Sequence, residues 1–247
     1  MENKVTIKEV NPALASRRNF LKISGLTMAG AGLLMAGCNN DDDSGSNNNQ
    51  NQLPGIRNGV FDLGGGDLGV LTYAYALEQL EADFYTKVVN ATGFTGFTPE
   101  VQAVLTDLYN HEVIHREFFQ AALSGALPAE RVLPDLAFNY GTLNFSNQAA
   151  VLATAQALED TGVAAYNGAG KVIVTPDYLV LAGKIVSVEA RHASAIRSLI
   201  NPGTASFAGN DVVDANGLDK ATNPSGIISA VGDLGFITTP FTAQYLP

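Results

Sequence analysis

From Asp67 to Ile200 the apolar side chains recur every three or four residues rather than every second one, and that period confines the chain to helices. Four stretches carry it, at about 67–90, 99–124, 147–171 and 177–200. Two of them open alike. Thr98-Pro99-Glu100 and Thr175-Pro176-Asp177 each offer a hydroxyl to cap the first turn, a proline at the first helical position and an acid that the helix dipole favours. The connections are unequal. Residues 91–98 and 172–176 join the first and last pairs, whereas roughly 22 residues rich in Gly, Pro and Asn separate the second stretch from the third, which is longer than most connections. This pattern predicts an all-α domain, a four-helix bundle of two helical hairpins with one long crossover.

The buried stripes of these helices are not wholly apolar. The first reads Leu71, Tyr75, Glu78, Ala82, Tyr85, Val89, and the second Val101, Leu105, Leu108, Glu112, His115, Phe119, Ala122. The third reads Leu152, Ala155, Glu159, Gly162, Tyr166, and the fourth Tyr178, Ala182, Ile185, Glu189, His192, Ile196, Leu199. Each stripe steps as one helix face must and carries a Glu at mid-length. An unpaired carboxylate in a core is costly, and four on facing helices repel one another unless protonated or neutralised. Two divalent cations balance four carboxylates when the imidazoles are neutral. The halves also repeat: Glu78 precedes Tyr85 by the same spacing as Glu159 precedes Tyr166, and Thr98 precedes Glu112 as Thr175 precedes Glu189. That reads as a duplicated hairpin, each copy supplying a Glu helix and a Glu-x-x-His helix.

In these residues, and in the segment Gly66-Asp67-Leu68-Gly69-Val70-Leu71 leading to Ala76-Leu77-Glu78-Gln79-Leu80-Glu81-Ala82-Asp83-Phe84-Tyr85, the chain resembles the bacterial ferritin-like domain family related to desiccation-associated proteins. The resemblance spans about residues 60–202. It implies a ferritin-like four-helix bundle with a dinuclear iron or manganese centre on Glu78, Glu112, His115, Glu159, Glu189 and His192. The wider superfamily includes ferroxidases, oxidases, peroxide-reducing proteins and manganese catalases, so oxygen or peroxide is the implied small-molecule substrate. If the centre is active, Glu112 and Glu189 are expected to bridge the ions, with His115 and His192 terminal. The resemblance identifies a site more firmly than a reaction. It assigns no catalytic residue, and metal binding or stress protection without turnover stays open.

Other readings compete at particular residues. His111-Glu112-Val113-Ile114-His115 is formally the H-E-x-x-H of zinc proteases, with Glu130 and Asp135 as the nearest downstream third ligands. That reading leaves Glu189 and His192 unexplained, and helical geometry turns His111 and Glu112 about 100° apart. His111 then becomes a residue flanking the ligands. Tyr85 and Tyr166 are either core aromatics or phenols that orient a carboxylate ligand on another helix. Glu81, one turn beyond Glu78, is an alternative ligand; Glu78 is preferred because it shares the tyrosine spacing of Glu159. Asp211, Asp214, Asn216 and Asp219 superficially suggest a calcium loop, but Asn223 stands where the EF-hand pattern needs its closing Glu. Residues 203–247 are read as an irregular C-terminal extension with one short helix near Ile227 to Val231.

The N-terminus reads as an address. Ser16-Arg17-Arg18-Asn19-Phe20-Leu21-Lys22 resembles the twin-arginine export signal. The Gly-rich run Ile23 to Ala36 is too short to span a membrane and suits a signal peptide. Leu34-Met35-Ala36-Gly37-Cys38 resembles a lipobox, with Met35 where Leu is usual. These residues predict a signal over 1–37, a lipid on Cys38 that ties the protein to a membrane, and a periplasmic or cell-envelope location. Residues 38–58 are expected to be a flexible tether and 59–202 the bundle; no apolar side chain lies between Asn39 and Gln52. Residues 1–37 hold 5 of the 14 Lys+Arg and 2 of the 24 Asp+Glu, so their removal leaves 9 against 22. That acidic balance argues against a nucleic-acid partner. A lone cysteine excludes an internal disulfide. A homo-oligomer stays open.

Overall fold

The computed structural model describes residues 52–247, and its long helices are α1 (Gly66–Val89), α2 (Pro99–Ala126), α3 (Gln148–Gly170) and α4 (Pro176–Ile200). α1 pairs with α2 and α3 with α4 as hairpins; α1 also meets α3, and α2 meets α4. The four stripes therefore close on one core. The expected signal, Cys38 and the tether up to residue 51 lie outside the described residues.

The helix starts show how local chemistry and tertiary contacts divide the work. Thr98 caps α2 by accepting from the Val101 amide at 3.4 Å, and Asn147 caps α3 by accepting from the Ala150 amide at 3.1 Å. Thr175 does not cap α4, contrary to its sequence. The Asp67 carboxylate at the start of α1 instead accepts from the amides of Val174 and Thr175, at 2.8 and 2.9 Å. A carboxylate is the stronger acceptor, and here it ties the α3–α4 turn to α1.

The crossover covers α1 rather than looping into solvent. Gln79 accepts from the Leu136 amide at 2.8 Å and donates to the Pro134 carbonyl at 3.3 Å. Tyr140 donates to Asp83 at 3.0 Å, and its ring lies 5.9 Å from that of Phe84. Leu133, Leu136 and Tyr140 are buried as a result. This is why α1 is buried almost all round.

The extension holds α5 (Pro224–Leu234), which buries Ile227 and Val231. Its approach to α3 depends on Gly168: a Cβ there would collide with the Thr222 backbone, whose amide bonds the Ala164 carbonyl at 3.0 Å. Asp211 pairs with Arg197 of α4 and ties the extension to the bundle, while Asp214 accepts from the amides of Asn216 and Leu218 and closes a turn of the extension. A small sheet was not expected. β1 (Gly55–Arg57) and β2 (Val60–Asp62) form an antiparallel hairpin, and β3 (Phe241–Thr242) joins β2 in parallel. β1 falls within the span read as tether. The turn between the strands is Asn58-Gly59, both at positive φ, which is the two-residue hairpin signal. Asp62, fully buried, secures the sheet by accepting from Gly64, Thr242 and Gln244.

Candidate metal centre

Glu78 on α1, Glu112 and His115 on α2, Glu159 on α3, and Glu189 and His192 on α4 converge at mid-bundle. They fall into two groups. Ligand atoms of Glu78, Glu112, His115 and Glu189 lie within 4.8 Å of one another, as do those of Glu112, Glu159, Glu189 and His192. Glu112 and Glu189 belong to both. All four carboxylates are fully buried.

The contacts have a particular character. His115 Nδ1 lies 3.0 Å from Glu189, 3.3 Å from Glu78 and 3.4 Å from Glu112. His192 Nδ1 lies 2.8 Å from Glu112, 3.4 Å from Glu159 and 3.5 Å from Glu189. These are ion-pair distances, yet neither Nδ1 makes a hydrogen bond of acceptable geometry, and neither does any oxygen of Glu112 or Glu189. Glu78 and Glu159 each leave one oxygen, Oε2, without a partner. Eight buried ligand atoms thus face shared points rather than each other. Buried polar groups are normally satisfied, so this donor set of oxygens and imidazole nitrogens fits a pair of divalent cations.

The electrostatics agree. Burial pushes Glu78 up to about 8 against the pull of His115, with Glu112 and Glu189 adding to the rise. Burial likewise lifts Glu159 to about 8 against His192. Burial would lift Glu112 as well, but the two imidazoles overcome it and hold that carboxyl well below its usual range. Burial opposes the charged imidazoles, yet the carboxylates around His115 and His192 raise both far above the ordinary histidine value. Protons therefore occupy the role that cations would take.

Tyr85 donates to Glu159 Oε1 at 2.5 Å, and Tyr166 donates to Glu78 Oε1 in a short hydrogen bond. Each phenol thus holds a carboxylate on another helix, leaving Oε2 to face the centre. His111 is half-buried, and its Nδ1 lies 2.9 Å from His192 Nε2 with the rings stacked at 5.1 Å. With Nδ1 of His192 facing the carboxylates, its Nε2 carries a proton and donates to His111. His111 belongs to neither ligand group, and Glu130 and Asp135 stand exposed on the crossover, so the H-E-x-x-H residues assemble no protease-type site. Glu81 is buried but outside both groups, whereas Glu78 belongs to one of them.

Two features escaped the sequence. The contact of His111 with a histidine on another helix has no local signal. The use of Gly162 as space beside Glu81 and Glu189 was detectable only through the repeat, since Gly162 follows Glu159 as Glu81 follows Glu78. Comparison with family models matches residues 66–202 to a ferritin-like domain. Comparison with curated proteins finds no match.

Proposed function

The chain belongs to the ferritin-like domain family, and on that footing we propose that its bundle binds two iron or manganese ions and turns over dioxygen or peroxide in stress protection. The observation that carries this reading is the sharing of Glu112 and Glu189 between two four-residue groups, each completed by its own Glu and His. Glu112 and Glu189 would bridge the ions. Glu78 with His115, and Glu159 with His192, would hold one each. Such a pair, when bound, supplies electrons and an open coordination position for oxygen or peroxide.

The chain's own residues prepare the site. Tyr85 and Tyr166 hold Glu159 and Glu78 in place, which preserves ligand orientation. Full burial of the four carboxylates keeps bulk water from competing for the ligand atoms. His111 fixes the ring of His192 by accepting from Nε2, so Nδ1 stays turned to the centre.

We further propose that the protein is exported through its twin-arginine-type segment and anchored by lipid on Cys38, as a member of the desiccation-related branch. Export after folding would let the metal be chosen before the protein crosses the membrane. No helix among the described residues is long and apolar enough to cross one.

Elemental analysis of protein purified from its native compartment tests the centre. The expected result is about two iron or manganese per chain, lost in Glu112→Ala with Glu189→Ala. Stoichiometric zinc with proteolytic activity would overturn it. Oxygen- and peroxide-consumption kinetics separate turnover from storage, and Cys38→Ser is expected to release the protein from the membrane fraction.

A further inference from the structure

Glu81 has no part in the ligand set above, yet it is built into the wall of the same centre. It is 3 % exposed, and its Oε2 has no hydrogen-bond partner. Burying a carboxyl oxygen without a partner destabilises a fold.

The space around it is also particular. A Cβ on Gly162 would stand 3.1 Å from Glu81 Oε1 and 3.8 Å from Glu189 Oε2. Glu81 thus reaches across from α1 to the same spot on α3 that borders a bridging carboxylate. Any larger residue at position 162 would crowd it. Glycine in a helix interior costs roughly 1 kcal/mol relative to alanine, so the vacancy is itself unfavourable for α3.

The duplication makes the pairing sharper. Glu81 and Gly162 occupy equivalent positions, each following its ligand Glu by the same step. The repeat is broken at this pair, with an acid on one side and empty room on the other. One carboxylate fits where two would collide.

We propose that Glu81 is a seventh ligand of the centre, a fifth carboxylate that tunes it toward cation pairs of higher charge. The inference rests on the two-metal reading of the site. Four carboxylates match two divalent ions. Five match a pair carrying one more positive charge, that is, one divalent and one trivalent ion. Gly162 is the space that lets Glu81 serve this role.

The test is a metal-binding measurement on the full chain after metal removal, with Mn²⁺ as divalent probe and redox-inert Ga³⁺, presented as a soluble chelate, as trivalent probe. Wild type, Glu81→Gln and Gly162→Ala are compared, with thermal unfolding to show that each variant is folded. Glu81→Gln removes the charge and keeps the shape; Gly162→Ala keeps the charge and removes the room. Both are expected to lose Ga³⁺ affinity by roughly 10- to 100-fold, with Mn²⁺ affinity changed by less than about threefold. Equal affinities of wild type and Glu81→Gln for Ga³⁺ would overturn the proposal, as would equal losses for both ions. In either case wild-type Mn²⁺ binding would leave the two-metal reading standing. A wild-type chain that takes up neither ion overturns both.

Discussion

The hairpin of α1 and α2 and the hairpin of α3 and α4 carry the same candidate ligands at the same spacings within each helix, and differ in what surrounds them. Glu78, Glu112 and His115 are matched by Glu159, Glu189 and His192, and Tyr85 by Tyr166. Beside those ligands, Glu81 faces Gly162, and the residue before the second Glu is His111 in one copy and Val188 in the other. The first copy alone adds a further histidine contact to the other, His111 to His192. On the two-metal reading, the charge that two cations would require acts equally on both copies and would keep the ligands alike. No such requirement acts on their neighbours, so the two halves of the centre become chemically distinct while remaining geometrically related.

The largest test of that comparison removes one histidine at a time. His115→Ala and His192→Ala are each expected to lose one of the two ions, read by elemental analysis. Loss of both ions from either variant would show that the halves bind only together. The next is His111→Ala, which should weaken the ion held by His192 by roughly 10- to 100-fold in calorimetric titration, while Val188→Ala leaves both affinities unchanged.

The halves should titrate in parallel. Glu78 and Glu159 both have folded values of about 8, above the ordinary carboxylate range, so the metal-free native state holds protons that the unfolded chain has released. Stability then falls as pH rises from about 4.5 to about 8. His115 and His192 act with the same sign, because their folded values are raised: their contribution is complete below the unfolded histidine value of about 6.5 and is lost as pH climbs toward the folded one. The metal-free protein should melt higher near pH 6 than near pH 8, and addition of Mn²⁺ should release protons and reverse that order. A flat melting profile would show that the carboxylates are not protonated in the fold.

The smallest effect compares two helix starts that look alike in sequence. Thr98→Ala should cost about 1 kcal/mol in denaturant unfolding, because its hydroxyl accepts from Val101. Thr175→Ala should cost no more than a few tenths, because its hydroxyl makes no cap hydrogen bond and Asp67 holds the turn through the Val174 and Thr175 amides. Asp67→Ala should therefore destabilise the protein more than Thr175→Ala does.

Much of this molecule is readable residue by residue. The helix period from Asp67 to Ile200, the proline starts and the mid-helix acids are local patterns, and a carboxylate on an apolar stripe raises an energetic problem visible without coordinates. That is why the four helices and the six converging side chains were legible. Asn58-Gly59 carries a hairpin signal that went unread, because the strand it turns back lies in a stretch that composition reads as tether and the third strand comes from Phe241–Thr242. Which phenol meets which carboxylate was not legible. Tyr85 and Glu159 are separated by 74 residues, and Tyr166 and Glu78 by 88.

By itself the sequence determined the helices and the charge problem at their centre, since both follow from spacing along one strand of chain. Only the tertiary structure decided that Asp67 rather than Thr175 secures α4, that the crossover lies on α1, and that Glu81 finds its room at Gly162. Those outcomes depend on which helix faces meet in space, and packing between distant segments leaves no periodic trace in either of them.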